Sequence, residues 1–194
     1  VKTVVAKNIE TAEFSKLLEN IYRSVNIGFI NEIKLVADKF NLDIFEIIKI
    51  AETKPFGFTR FNPGPGTGGH CIPVDPKYLL WKINKSNFKS PLISSSMKRL
   101  DHIKLESFLK IKKQIAKGSK ILVLGVSYKK NISDTRESPA IFIIKKMIKS
   151  GFKVDFHDPH VPYILNKTLK SKILSEKNLK KYHIILICTA HDKI

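Results

Sequence analysis

A change of hydrophobic period near Gly118 constrains this chain more than any other feature. Before it, apolar residues recur every three or four positions. Phe14, Leu17, Leu18, Ile21, Val25, Phe29, Ile33, Val36 and Phe40 predict one long helix over 10–40. Thr11, with acidic Glu13 behind it, predicts a capped start. "LDIFEIIKIAET" (42–53), "KYLLWKINKS" (77–86) and a run from Ser90 that Gly118 stops predict three further helices. After Gly118 the apolar runs are short: "KILVLGVSY" (120–128), "FKVDFHDP" (152–159) and "HIILICTA" (183–190), with a helical pattern over 138–151. Short apolar runs separated by helix predict buried strands in parallel βα units. The expected fold is therefore α plus α/β: a helical domain over 1–117, then a Rossmann-like domain over 118–194. "HDPH" (157–160) reads as a strand exit and turn rather than a metal pair.

Between these regions of clear period lies a stretch with none. Residues 54–76 are predicted as one long ordered loop, and loops of that length are often functional. "NPGPGTGGHCIPVDP" (62–76) concentrates four of the nine glycines and four of the nine prolines around Cys71, with Asp75 four residues on. Gly66, Gly68 and Gly69 permit positive φ and close approach to a ligand, and successive N–H groups can form an anion-binding nest. A thiolate there would be a nucleophile, and Asp75 could activate a water at the same centre. Equally, Cys71 could be a small buried residue beside a turn, with Asp75 capping the following helix. His70 alone reads as structural or solvent-facing. His70, Cys71 and Asp75 lack a fourth partner at any familiar metal spacing, so no metal is expected.

The formal net charge is +18, which can attract nucleic acid or anionic membrane. The lysines are spread over every segment and seldom interleave with aromatics, so a phosphate-bearing small substrate is the better expectation, with no nucleic acid and no membrane. No apolar run reaches the ~18 residues of a membrane span. Two cysteines make no disulfide framework, which points to a reducing cytoplasm. The chain starts at Val1 and stops soon after a strand-like run, so a piece of a longer protein is expected.

Three motifs in order carry a resemblance. "TAEFSKLLENIYRSVNIGFINE" resembles the central helix of the UDP-glucose/GDP-mannose dehydrogenase family. "GPGTGGHCIPVDP" resembles its catalytic cysteine loop, and "LGVSYKKNISDTRESPA" the opening of its UDP-binding domain. The preceding "KPFGF" and the form of the cysteine loop resemble the UDP-N-acetyl-D-glucosamine 6-dehydrogenase branch. The family's N-terminal NAD-binding domain has no counterpart here, since no G-x-G-x-x-G follows a strand, and the final elements of the UDP domain are also missing. A chain ending here is expected to be inactive alone.

The resemblance implies oxidation of a sugar C6 alcohol to a carboxylate with two NAD, through a thiohemiacetal and a thioester on Cys71. Asp75 matches the aspartate that helps activate water. Lys16 and Asn20, at i and i+4 on one helix face, match the lysine that stabilises an oxyanion and the asparagine that holds it or a water. Without the resemblance, Lys16 is an ordinary solvated lysine. Phe61, Asn62, Gly66, Gly68 and Gly69 would lie along the nucleotide sugar, with Tyr128 and Lys129 on its UDP. Arg136 matches an arginine directed to the cofactor, although Asp134, Arg136 and Glu137 could instead be a local ion pair and helix cap. The long first helix would form a homodimer. A non-catalytic nucleotide-sugar-binding remnant and a basic nucleic-acid-binding protein are the rival readings.

Overall fold

Asn8, not Thr11, starts the first helix. In the computed structural model, which describes residues 3–194, the Asn8 carboxamide accepts the Thr11 N–H at 2.9 Å. Asn8 has extended backbone (φ −151°), as an N-cap requires, whereas Thr11 already lies within the first turn. Helix α1 then runs over Ile9–Lys39. It ends as Asn41 adopts a left-handed conformation (φ 55°) and the Leu42 N–H turns back to the Ala37 carbonyl at 2.9 Å. Asp43 caps α2 (Ile44–Ala51) by accepting the Phe45 N–H at 2.8 Å. Packing α2 against α1 buries Ile30, Ala37, Ile44 and Ile48, with Ile33 and Phe61 at the edge. Helix α3 (Asp75–Asn84) carries Pro76 in its first turn, and α4 spans Pro91–Lys113.

The three predicted strands form, each shorter than its apolar run. Strands β1 (Lys120–Leu124), β2 (Lys153–His157) and, last in the chain, β5 (Ile184–Ile187) make a parallel sheet in the order β2-β1-β5. Helix α5 (Pro139–Lys149) crosses over between β1 and β2. Central β1 is buried along almost its whole length, hence its unbroken apolar sequence. Edge strand β5 alternates instead, leaving Ile185 and Ile187 exposed. A hairpin of two-residue strands, β3 (Tyr163–Ile164) with β4 (Leu169–Lys170), and the single turn α6 (Glu176–Leu179) are too short to show a period and were not expected from the sequence.

Packing divides the chain into two units. One comprises the chain up to Gly64 together with Cys71–Leu100, and the other Pro65–His70 together with Asp101–Ile194. Residues 101–117 therefore group with the sheet and not with the helices before them. The reason is that Phe108, Ile111 and Ile115 pack into the core around Ile121, Ile144, Met147 and Phe156.

Candidate active site

In the first unit, α1 and α3 bring two of the expected polar residues together. Asn20 is wholly buried, and its Nδ2 donates to Asp75 Oδ2 at 2.6 Å. The acceptor side of the same amide, Oδ1, takes a hydrogen bond from the Arg23 guanidinium. A carboxylate only accepts and a guanidinium only donates, so these neighbours fix which way the amide faces. Arg23 and Glu19, bonded at 3.1 Å, were not singled out in the sequence. Their signal was the 16-19-20-23 spacing, which lines one helix face.

Cys71 stands one turn before Asp75 and is exposed. Its carbonyl accepts the Asp75 N–H at 2.9 Å and the Val74 N–H at 3.1 Å, so the thiol rides on the turn that opens α3. Buried Ser24 fastens that turn to α1 by donating towards the carbonyls of Asn20 (3.0 Å) and Ile72 (3.2 Å). The alternative that Cys71 is a buried structural residue is thereby corrected. So is the alternative that Asp75 caps α3: it is the first helical residue, Val74 holds the cap position, and no side chain caps there.

Lys16 pairs with Glu19 and not with Asp75. Its ammonium lies 2.9 Å from Glu19, whose carboxyl is held below the ordinary range first by that hydrogen bond and then by the lysine's charge. Both Lys16 and Asp75 nonetheless line one cavity of about 490 Å³, walled by Phe14, Leu17, Tyr78 and Leu79. Of the other expected ligand residues in this unit, Phe61 packs edge-to-face on Tyr22 with ring centres 6.0 Å apart, which gives it a packing role. Exposed Asn62 accepts from Arg60 Nε at 3.2 Å. The Gly64 N–H is taken by buried Asn31 at 3.0 Å.

In the second unit, the glycines of residues 65–70 serve close approach as much as conformation. Gly66 and Gly69 have positive φ (137° and 85°), but Gly68 does not. A Cβ on Gly68 would lie 2.5 Å from Tyr128 Cβ, and one on Gly69 would lie 2.9 Å from the Tyr128 ring. Tyr128 thus packs on bare backbone. The nest expected from the sequence is partly spent, because the Gly69 N–H donates to the Arg136 carbonyl at 2.8 Å. Lys129 is exposed. Arg136 makes the local pair weighed above, with Nη2 2.7 Å from Asp134, whose carboxyl this arginine holds low. Glu137 is no cap: Ser138 takes that position before α5, without a side-chain bond.

These residues do not form a dinucleotide cradle. After β1, where such a cradle would open, a Cβ on Gly125 would stand 2.0 Å from the Thr189 carbonyl oxygen, so protein backbone fills the bare face of that glycine. Arg136 is engaged with Asp134. What the arrangement offers chemically is an exposed thiol, a hydrogen-bonded carboxylate one turn away, and a lysine on the carboxylate's cavity.

Comparison with known proteins agrees with the geometry. The central-domain model of the UDP-glucose/GDP-mannose dehydrogenase family matches residues 10–99, and its UDP-binding-domain model matches residues 122–194. The UDP-N-acetyl-D-mannosamine dehydrogenase of Methanocaldococcus jannaschii is 37% identical over 188 residues, covering 95% of this chain and 41% of that protein. An NDP-N-acetyl-D-galactosaminuronic acid dehydrogenase of Ralstonia solanacearum is 34% identical, covering 97% of this chain and 45% of its own length. Among solved structures, the UDP-N-acetyl-mannosamine dehydrogenase of S. aureus superposes with a TM-score of 0.79 at 30% identity, over 96% of this chain and 43% of that one. The chain spans well under half the length of these relatives. Two consecutive family domains, in order and over most of its length, make this chain a member of the UDP-glucose/GDP-mannose dehydrogenase family.

Proposed function

We propose that this chain carries the cysteine, water-activating and UDP-binding parts of an NAD-dependent UDP-sugar 6-dehydrogenase. It would act in the cytoplasm, oxidising the C6 alcohol of a UDP-N-acetylhexosamine to a carboxylate for surface polysaccharide. The observation that supports this most is the pairing of Asn20 with Asp75 one turn from exposed Cys71. Both oxidations require a hydride acceptor, which the residues described here do not cradle. The steps assigned to them are those at sulfur. The Cys71 thiolate adds to a C6 aldehyde, and the new oxyanion takes a proton to give a thiohemiacetal. At the thioester stage, Asp75 accepts a proton from water as it attacks the carbonyl carbon, and the carbon–sulfur bond breaks to return the thiolate. Asn20 keeps the Asp75 carboxylate aimed. Lys16, released from Glu19, lends positive charge to the oxyanion.

UDP-N-acetylmannosamine is the first candidate sugar in this reading, with UDP-N-acetylglucosamine and UDP-glucose next, a ranking that the names of the relatives support. The exposed Phe14, Leu18, Phe29 and Val36 of α1, with Phe40 just past its end, favour a homodimer through that helix. No helix among the described residues is long and apolar enough to cross a membrane.

The test offers each of the three UDP-sugars and NAD to the complete product of the gene that carries this chain. Two NADH per carboxylate with one preferred sugar is the expected result. UDP binding without turnover would mean a non-catalytic remnant. Binding that ignores UDP and collapses with salt would mean a nucleic-acid partner.

A further inference from the structure

The segment that bears Tyr128 and Lys129 is held by residues that the reading above leaves without a role. It follows β1, and the segments after β2 and β5 meet it at the same, C-terminal end of the parallel sheet, where ligands of such sheets bind. Asp158, after β2, is buried. Its Oδ2 accepts the N–H groups of Val126 (2.7 Å) and Ser127 (3.1 Å). Its Oδ1 accepts those of His160 (2.8 Å) and Val161 (3.1 Å). His191, after β5, is equally buried. Its Nδ1 accepts the Asn131 N–H at 2.9 Å. A backbone amide only donates, so the ring proton sits on Nε2, which lies 3.1 Å from both Asp158 Oδ2 and Ser127 Oγ. Ser127 Oγ gives its own proton to the Lys129 carbonyl at 2.8 Å. Ser127, His191 and Asp158 are therefore no hydrolytic triad: serine and aspartate share one ring nitrogen, and the buried hydroxyl is already committed to backbone.

Most hydrogen bonds in this cluster end on main chain or on its own members; outside it, Ser171 Oγ accepts the Asp158 N–H at 3.0 Å and the His160 ring lies 4.9 Å from that of His191. Thr189 Oγ1 donates to the Ser127 carbonyl at 2.7 Å, and the Tyr128 N–H goes to the Asp134 carbonyl at 3.0 Å. Asn131 and Lys130 both pair with Asp192 at the rim. The Tyr128 ring and the Lys129 ammonium take no part in it. A backbone bonded at Val126, Ser127, Tyr128 and Asn131, beneath a tyrosine ring rested on glycine backbone and a lysine outside the cluster, has the form of a preorganised binding segment.

We propose that His191 and Asp158 are positioning residues: they clamp residues 126–131 in the conformation that presents Tyr128 and Lys129 to the diphosphate nucleoside. The ligand rests on the function proposed above, whereas the clamp itself does not.

Two substitutions separate the contacts of the imidazole. His191→Asn keeps an acceptor near Nδ1 for the Asn131 amide and loses the bonds made by Nε2. His191→Gln reaches the Nε2 position and loses the acceptor for Asn131. Amide hydrogen exchange over 126–131, UDP affinity by calorimetry and thermal stability are measured on each full chain. The clamp predicts faster exchange and an affinity about three- to tenfold weaker in H191Q. In H191N, which keeps the Asn131 bond, it predicts a smaller loss of affinity than in H191Q, even where stability falls as far. Affinity that follows stability in both variants, or an H191Q chain with unchanged exchange and affinity, overturns it. Faster exchange in H191Q, in a parent chain that binds no UDP, would support the clamp and refute the UDP assignment.

Discussion

Exchanging Asn20 for aspartate alters a single side-chain atom and turns a donor into a charge. In the parent, Nδ2 stands 2.6 Å from Asp75 Oδ2; in N20D an oxygen faces that oxygen. At an effective dielectric of about 20, two unit charges that close repel by about 6 kcal/mol. Arg23, in contact with the same carboxamide, offsets about half of this, leaving an expected loss of about 3 kcal/mol at pH 8. On acidification the introduced carboxyl takes a proton and restores the hydrogen bond. Its folded pKa then exceeds that of an unfolded aspartate, near 4, by about two units for a loss of this size. A raised folded pKa means stability that is present in acid and lost as pH rises through about 4 to 6. The assay is urea unfolding followed by Trp81, the sole tryptophan, which lies on α3 in the same unit as Asn20. The unfolding free energy of the parent should exceed that of N20D by about 3 kcal/mol at pH 8 and by under about 1 at pH 4.5. N20L, which cannot titrate, should lose a similar amount at both. A pH-independent N20D deficit would refute the reasoning, because it would mean that the two side chains do not meet.

Other outcomes follow from the same geometry. Cys71→Ser in the complete gene product should abolish carboxylate formation and leave UDP binding intact; joint loss of both would make Cys71 a structural residue. A thiol reagent at pH 8 should find one reactive cysteine in the folded chain and two after denaturation, since Cys71 is exposed whereas burial pushes the Cys188 thiol up to about 12. Gly69→Ala must accommodate a Cβ at positive φ against the Tyr128 ring, and should weaken UDP binding at least about tenfold with little change at Trp81. Burial raises the Asp158 carboxyl, but the N–H groups of Val126, His160 and Ser127 and the His191 ring outweigh it and hold the carboxyl below its ordinary value. Its contribution is therefore present above about pH 4 and lost in acid. The stability gap between parent and Asp158→Asn should close as pH falls below 4, as urea titrations at pH 7 and 3.5 would show.

The parts legible in the sequence were those with a period or a motif. Helices α1 to α5 and the three strands of the parallel sheet stood out because each buries a face, and Lys16, Asn20 and Asp75 because a resemblance marked them. The Asn20–Asp75 bond itself could not be read, since the two residues are fifty-five positions apart and meet only where α1 packs on α3. Asn8 was missed as the cap because Thr11 is also a capping type, and backbone geometry distinguishes them. Gly68 looked like a conformational glycine, yet it is required by the bulk of Tyr128, a neighbour sixty residues away. His191 and Asp158 carry no local signal: a lone histidine and an Asp-Pro turn become a network only once three strand ends converge.

The order of strands in the sheet also dictates when it can form. Central β1 meets its first neighbour thirty-three residues later, at Ile121 with Val154, and its second sixty-three residues later, at Ile121 with Ile184. On a ribosome, β1 leaves the exit tunnel as an apolar ribbon with both edges open, and one edge stays open until nearly all of this chain has been made. The slow step in folding the second unit should be the closing of β5 onto β1, the contact of longest range in the sheet. During that interval its danger is pairing with the β1 of another nascent chain, so folding yield should fall as expression rate and concentration rise.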